Sequence, residues 1–210
     1  MRQYISTEKL VKLWRKNGIN KIHAGGWHFW DKYTYDYERL IKVCHQNGIY
    51  VYCWLEPPMI NQKFWNRYPL WREKTATLKD GKVSWRYLMN LANPECRKKA
   101  FSEIESLLLK YDWDGVNVAE LYFESAGGPD FPQNLTPMND IVRKEFKKLY
   151  GFDPLEIFNP QSIYFWKINN NAWKSFVNYR VNLCYKLKTY FIEFLSTIKT
   201  KKKDFCHNRD

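Results

Sequence analysis

Several features that assign a chain to a familiar class are missing from this sequence. Its five cysteines are an odd number without paired spacing, and they indicate neither a disulfide framework nor a zinc site. No stretch is long and apolar enough to suggest a membrane span. Residues 1–18 are amphipathic and charged, so they do not resemble a signal peptide, and we expect a cytoplasmic location by default.

Two kinds of binding motif are also lacking. Gly25-Gly26 is followed by Trp-His-Phe-Trp, which is neither a dinucleotide-binding fingerprint nor a phosphate-binding loop. The four histidines show no H-E-x-x-H spacing, and the sequence gives no other support for a bound metal. From the sequence we therefore expect neither a metal nor a cofactor.

The chain is rich in aromatic residues and in positive charge. Aromatic side chains make up 18% of its 210 residues, and their flat faces stack on sugar rings or on nucleobases. The net charge of +12 would suit a polyanion. Lys and Arg are, however, scattered over predicted helices, and the dense run is at residues 199–203. We therefore expect a basic tail over residues 199–210 and rank nucleic acid below carbohydrate as a partner.

A unit of amphipathic helix, small turn and apolar strand occurs three times. The three strands are predicted at residues 21–24, 50–55 and 116–123. In each unit, helical spacing gives way to a short continuous apolar run, as in strands covered on both faces. A glycine at each turn supplies the left-handed conformation that ends a helix. These three glycines are Gly18, Gly48 and Gly115.

The sequence also indicates where two of the helices begin. Asn93, followed by Pro94 and Glu95, predicts a helix N-cap, and Thr136-Pro137 with Asp140 beyond it predicts another. A long helix is predicted over residues 171–198, because apolar side chains recur there at helical spacing.

Helices that alternate with strands imply parallel strands, in either an open doubly wound sheet or a barrel. The segments after the strands are long and aromatic, notably residues 56–92, and this favours a (β/α)8 TIM barrel with its working residues at the carboxyl ends of the strands. A complete barrel needs roughly 250 residues. We count three clear strands and a fourth candidate at residues 2–5, so residues 1–198 predict an incomplete barrel of three to four units.

The third predicted strand carries the leading catalytic candidate, Glu120. Alternation places Val116, Val118, Glu120 and Tyr122 on one face of the strand. We expect Glu120 to project, partly desolvated, at the mouth of the barrel, where burial raises a carboxyl pKa as a general acid requires. The alternative is a structural glutamate bound to an arginine or to backbone N–H groups.

A second carboxylate, Glu56, ends the preceding strand. Parallel strands lie about 4.8 Å apart, and paired glycosidase carboxylates about 5–9 Å apart, so Glu56 could partner Glu120. Glu124 lies about 13 Å from Glu120 along an extended strand, which is too far for direct partnership unless the chain bends. Glu124 is therefore predicted to bind substrate instead. For Glu56 the alternative is a carboxylate that anchors a loop.

Aromatic and polar side chains after the strands predict a cleft for substrate. The candidate substrate-binding residues, besides Glu124, are Trp27, His28, Trp30, Trp54, Asn90 and Tyr122. Three further tryptophans are candidates for the same stacking cleft, namely Trp65, Trp71 and Trp85. The alternative for each aromatic residue is core packing. Arg143 and Arg180 are predicted to be surface or interface groups.

The sequence resembles the glycoside-hydrolase-like TIM-barrel proteins of bacteria, a family distantly similar to the poly-N-acetylglucosamine hydrolase barrel and to amylase-like barrels. The resemblance is carried by Cys-Trp-Leu-Glu-Pro-Pro at 53–58, by residues 64–77, 88–94 and 111–124, by Thr-Pro-Met-Asn-Asp at 136–140 and by Tyr-Gly-Phe-Asp-Pro at 150–154. It implies a (β/α)8 fold, a glycan substrate and an acidic residue at the end of the fourth strand, which Glu120 matches. Full-length members can be exported, and we expect this chain to correspond to the N-terminal half of such a barrel.

Three functional hypotheses follow from the sequence. The first is a glycoside hydrolase, or a fragment of one, that acts on a polysaccharide through Glu120 and Glu56. The second is a barrel that binds carbohydrate without catalysis, and the third is an inactive truncated remnant. Exposed edge strands and an open apolar inner face would favour self-association, or association with a missing half-barrel.

Overall fold

A computed structural model describes residues 5–26, 36–83 and 85–207, with side chains up to residue 198. Its helices and strands alternate through most of the chain. They are α1 (Thr7–Lys16), β1 (Lys21–Gly25), α2 (Tyr37–Gln46), β2 (Tyr50–Leu55), α3 (Gln62–Arg67), β3 (Lys82–Val83), β4 (Arg86–Tyr87), α4 (Pro94–Lys110), β5 (Gly115–Val118), α5 (Asp140–Tyr150) and α6 (Asn170–His207).

The three predicted strands form one parallel sheet. Its order is β1-β2-β5, with Gly25 opposite Trp54 and Trp54 opposite Asn117. The strands β3 and β4 form a separate antiparallel hairpin within the segment that joins β2 to α4. Residues 1–4, which hold most of the fourth candidate strand, lie outside the described residues, so the closed barrel stays a prediction.

One face of the sheet is buried beneath helices. Val51, Cys53 and Leu55 of β2 are fully buried, and the side chain of Leu107 in α4 lies over the same face. The opposite face carries Lys21, His23, Tyr50, Tyr52, Trp54 and Asn117, which are exposed or half-buried. The prediction of strands covered on both faces, with an apolar inner face, was therefore wrong, because polar and aromatic side chains alternate with the apolar ones.

Most helices begin where a polar side chain accepts a hydrogen bond from the first turn. Asn93 does so for α4, as predicted, by accepting from the N–H groups of Glu95 and Cys96. The start predicted at Thr136-Pro137 was wrong, since α5 begins at Asp140 after Asn139. The Thr136 hydroxyl is fully buried and accepts a hydrogen bond from the N–H group of Glu124 instead.

The predicted turn glycines divide into two kinds. Gly18 and Gly48 have φ angles of 77° and 65°, the left-handed conformation expected after α1 and α2. Gly115 was wrongly predicted as a helix end, because it is the first residue of β5. A Cβ atom at Gly115 would lie 2.5 Å from the Tyr52 ring, so close packing across the sheet requires glycine there.

The long helix α6 covers the side of the molecule formed by α4 and α5. The Phe101 ring of α4 stacks on Phe194 at a centroid distance of 4.4 Å, and Phe146 of α5 meets Phe176 edge-on at 5.8 Å. The helix continues to His207, so residues 199–207 of the predicted basic tail extend it. Among the described helices, none combines the length and hydrophobicity that a membrane crossing requires.

Candidate active site

The carboxyl ends of β2 and β5 bring together the two predicted catalytic glutamates. Glu56 directly follows β2, and Glu120 comes two residues after the end of β5. The backbone of Ala119 donates a hydrogen bond to Leu55 O at 2.8 Å, so the two segments remain paired beyond the last residues of β5. The negative charge of Glu120 is near enough to raise the pKa of Glu56.

The carboxyl group of Glu56 is almost completely buried, with 8% of the residue exposed. The indole Nε1 of Trp54 donates to its Oε1 at 2.8 Å, and its Oε2 has no hydrogen-bond partner among the described residues. Burial raises the Glu56 pKa, the charge of Glu120 raises it further, and the Trp54 hydrogen bond and the Arg86 charge oppose the shift. Glu56 therefore has the environment that sequence reasoning expected for Glu120.

Glu120 is exposed rather than desolvated, which corrects the prediction. Val116 and Val118 pair with Cys53 and Leu55 on the helix-covered face, and strict alternation would have directed Glu120 to that face too. Its φ of 54° ends the alternation. A left-handed conformation is uncommon for a glutamate, and strained backbone of this kind is enriched at functional sites.

A cleft of about 500 Å³ lies beside Glu120, between the end of β5 and α6. Its walls are Val118, Glu120, Leu121 and Tyr122 on one side and Lys188, Phe191 and Ile192 of α6 on the other. Of the predicted substrate-binding residues, Tyr122 therefore lines a cleft together with Glu120.

An arginine from the β3–β4 hairpin joins two other predicted residues. Arg86 Nη1 donates to Glu124 Oε1, and the two residues are only 4% and 7% exposed. The Arg86 guanidinium lies 4.5 Å from the centre of the Tyr122 ring, in a cation–π contact. Glu124 is thus bound to Arg86, and its predicted role in substrate binding is untested.

Behind this pair lies a third buried carboxyl group, Glu73, with 1% exposed. Burial raises the pKa of Glu73 to about 8, and the nearby Thr136 hydroxyl and Arg180 charge only partly oppose the shift. Arg180, predicted to be a surface or interface group, is half-buried. Desolvation lowers its pKa to about 10, and it donates hydrogen bonds to the carbonyl oxygens of Phe123, Glu124 and Thr136.

Buried polar atoms without partners are concentrated here. Within the described residues they comprise Glu56 Oε2, both oxygens of Glu73, Arg86 Nε and Nη2, and Asn90 Oδ1. All except the last belong to Arg86 and to the two glutamates whose pKa its charge lowers, Glu56 and Glu73. Because buried polar groups are nearly always hydrogen-bonded, these atoms have capacity for further hydrogen bonds.

The other predicted substrate-binding residues are more dispersed. Trp54 is half-buried and orients Glu56, and Asn90 lines a separate cavity. Trp27, His28 and Trp30 lie outside the described residues. Trp65 is 5% exposed and belongs to the core, so it does not contribute to a stacking cleft. In the part of the chain that the structure describes, no three His, Cys, Asp or Glu side chains are arranged to hold a metal ion.

Sequence reasoning missed Arg86 and Glu73, and it did not predict the contacts of Arg180. Glu73 stands between Arg72 and Lys74, which is typical of a solvated segment, and Arg86 lies in a segment without periodicity. For Arg180 the sequence did contain an indication. It follows Phe176 by four residues and precedes Leu183 by three, and this spacing places it on the buried face of α6.

Glu73 should make the stability of the protein depend on pH. The pKa of this carboxyl group rises from 4.5 in the unfolded chain to about 8 in the folded protein. The shift does not lower the free energy of unfolding below pH 4.5, where both states are protonated, and it lowers it progressively as pH rises to about 8. The free energy of unfolding should therefore fall by up to roughly 1.4 kcal/mol per pH unit in that window. Urea unfolding at pH 5 and pH 8 should show a smaller fall for Glu73→Gln, and an equal fall for both proteins would contradict this.

No protein-family model and no curated protein matches the sequence. Solved structures do match it. The galactosidase domain of an alpha-galactosidase–sucrose kinase is 18% identical, with a TM-score of 0.43 over 53% of this chain and 18% of that chain. Alpha-L-fucosidase isoenzyme 2 from Paenibacillus thiaminolyticus is 16% identical, with a TM-score of 0.50 over 84% of this chain and 26% of that chain. The fold is distantly similar to part of the fucosidase. The chain spans 18% of the length of the galactosidase chain and 26% of that of the fucosidase.

Proposed function

We propose that the chain is a glycan-directed hydrolase module in which Glu56 is the general acid and Glu120 is its partner carboxyl group. The observation that carries the proposal is the contrast between the two carboxyl groups. Glu56 is buried with a raised pKa, whereas Glu120 is exposed at the neighbouring strand end. Two nearby carboxyl groups whose surroundings differ in this way are suited to opposite roles in acid–base catalysis.

In this proposal Glu56, Trp54 and Glu120 have different roles in cleaving the glycosidic bond. Protonated Glu56 gives its proton to the glycosidic oxygen as the bond from that oxygen to the anomeric carbon breaks. Trp54 holds the other oxygen of the Glu56 carboxyl group in place. Glu120 either takes a proton from the attacking water or attacks the anomeric carbon itself, according to stereochemistry. The assignment exchanges the two roles that the sequence favoured, because burial distinguishes the glutamates.

The distant fold similarity supports the same proposal. The matched part of the fucosidase covers most of this chain, and we propose that the three-stranded sheet belongs to a (β/α)-barrel of that general kind. In such barrels the catalytic residues lie at the carboxyl ends of the strands, as Glu56 and Glu120 do. A polysaccharide or oligosaccharide substrate is consistent with the names of the similar structures.

A second candidate function, carbohydrate binding without catalysis, is favoured by the open face of the sheet. His23 meets Trp54 edge-on at 6.1 Å and approaches Tyr52 at 5.5 Å. The Asn117 amide nitrogen lies 3.1 Å from His23 Nδ1. Aromatic faces next to hydrogen-bonding groups suit a sugar ring. Binding that survives the loss of both glutamates, with no product from any glycan, would favour this function.

Replacing Glu120 by Gln tests the catalytic proposal. We expect kcat on a hydrolysed glycan to fall at least about 100-fold, with an unchanged melting temperature because Glu120 is exposed. The matched control is Glu193→Gln at an exposed position of α6, which should retain full activity. Turnover that survives in Glu120→Gln would remove Glu120 from the catalytic role.

A further inference from the structure

The cleft beside Glu120 carries a positive charge to which the proposed function gives no role. Among the described residues that line it, five are apolar or aromatic and two are charged, Glu120 and Lys188. Glu120 belongs to the proposed catalytic pair. Lys188 comes from α6, which forms the other wall of the cleft.

The contacts of α6 show how the helix lies along the segment that follows β5. Arg180 donates hydrogen bonds to the carbonyl oxygens of residues 123 and 124, and Cys184 Sγ lies 3.0 Å from Leu121 O. Four residues of helix rise about 6 Å, which is the length of about two residues of extended chain. The helix and the segment therefore run in opposite directions, and one turn of α6 corresponds to two or three residues of the segment.

This register places Lys188 at the level of Glu120. Lys188 follows Cys184 by four residues, so it lies one helical turn farther along the same series of contacts. Burial raises the pKa of the Cys184 thiol, and the charge of Lys188 opposes that shift, so the ammonium group is close to the thiol. The side chain of Lys188 is thus directed along the wall of the cleft, beside the end of β5.

The ammonium group of Lys188 has no carboxylate partner. The residues three and four positions before and after it are Cys184, Tyr185, Phe191 and Ile192, so no acidic side chain is available within one turn of α6. Lys188 is exposed and forms no ion pair with any carboxylate of the described residues. Its charge is therefore available to a ligand in the cleft.

The remaining walls suit a sugar ring. Tyr122 on one wall is 41% exposed and Ile192 on the other is 65% exposed, so both present apolar surface to a ligand. Such surfaces pack against the C–H groups of a sugar. The ammonium group is a compact charge with three donors, which suits a carboxylate or sulfate substituent on the ring. That substituent would lie on the α6 side of the cleft, away from Glu120.

We propose that Lys188 is a specificity-determining residue that binds an anionic substituent of the sugar in this cleft, and the proposal rests on the proposed function. The preferred substrate is then an acidic glycan, whose carboxylate or sulfate group contacts the ammonium group. A neutral glycan still fits against the apolar walls, so the charge makes it a poorer substrate without excluding it. The net charge of +12 also favours encounter with an acidic glycan.

The test compares acidic oligosaccharides with matched neutral ones. Oligogalacturonides and hyaluronan oligosaccharides are paired with the same molecules after reduction of their carboxyl groups to alcohols, and chondroitin sulfate oligosaccharides with their desulfated forms. Wild-type protein should bind the anionic member of at least one pair about fivefold more tightly and cleave it with a higher kcat/KM. The first two pairs report on a carboxylate and the third on a sulfate.

The variants at Lys188 separate a specific contact from the overall charge of the protein. Lys188→Met should abolish the preference and leave binding of the neutral member unchanged, whereas Lys188→Arg should retain the preference. The matched control is Lys186→Met, which removes the same charge from an exposed position of α6 outside the cleft and should retain the preference. High salt should reduce the preference of the wild-type protein.

The outcomes distinguish this proposal from the proposed function. Cleavage that depends on Glu56, with the same preference in Lys188→Met as in wild type, would overturn the role of Lys188 and leave the function standing. An equal effect of Lys186→Met and Lys188→Met would also overturn that role, because net charge alone would explain it. Binding of an anionic member that Lys188→Met weakens, without hydrolysis of any pair, would overturn the catalytic function and support the role of Lys188.

Discussion

Replacing Glu56 by Gln is expected to lower kcat about 10²- to 10⁴-fold on a glycan with an unactivated leaving group. The amide oxygen of Gln can still accept the hydrogen bond from Trp54, so the local structure should be retained. What the variant loses is the proton that Glu56 gives to the leaving oxygen. The melting temperature should not fall, because the change removes a buried ionisable group.

Two further readouts distinguish an acid from a merely structural glutamate. Because burial raises the Glu56 pKa, and the protonated form is the active one, wild-type kcat should decline as pH rises through that pKa. The Glu56→Gln variant should lack this decline. On an aryl glycoside, whose leaving group needs no protonation, Glu56→Gln should lower kcat much less. An equal loss on both kinds of substrate would contradict the assignment of Glu56 as the acid.

The second large effect is expected from Arg86→Met. Methionine fills a similar volume but leaves the buried carboxylate of Glu124 without its charged partner. Removing one member of a buried ion pair typically destabilises a protein by about 3–5 kcal/mol. The free energy of unfolding, measured by urea denaturation, should fall by an amount in that range.

A matched control and a double variant make the result interpretable. Arg39→Met removes an exposed pair with Glu8, whose side chains are 56% and 42% exposed, and should cost less than about 1 kcal/mol. Arg86→Met combined with Glu124→Leu should recover much of the lost stability, because no buried charge is then left unpaired. A single Arg86→Met variant as stable as Arg39→Met would refute the buried pair.

The local patterns of the sequence predicted the sheet and the main helices. The existence of three parallel strands and the N-cap at Asn93 are confirmed, because periodicity and capping depend on residues close together in the chain. The third strand is shorter than predicted, since it ends at Val118 rather than at residue 123. The predicted strands also placed Glu56 and Glu120 at neighbouring strand ends. Local pattern could not show that Glu120 has a left-handed backbone and is exposed, while Glu56 is buried.

The rest of the candidate site depends on contacts between distant residues. Arg86 meets Glu124 across 38 positions of sequence, and Arg180 reaches Thr136 across 44. No spacing rule relates such pairs, because the β3–β4 hairpin and α6 are brought to the strand ends only by tertiary packing. The buried ion pair of Arg86 with Glu124 was therefore missed, and so were the contacts of Arg180.

The central claim is that the strand-end glutamates cleave a glycan, and product analysis tests it most directly. Wild-type, Glu56→Gln and Glu120→Gln proteins would be incubated with four series of oligosaccharides of two to six units, namely malto-, xylo-, galacto- and chito-oligosaccharides. New reducing ends would be identified by mass spectrometry. The account predicts shorter products from at least one series with the wild-type protein and almost none with either variant. No product from any series at stoichiometric protein concentration, or equal product from all three proteins, would contradict it.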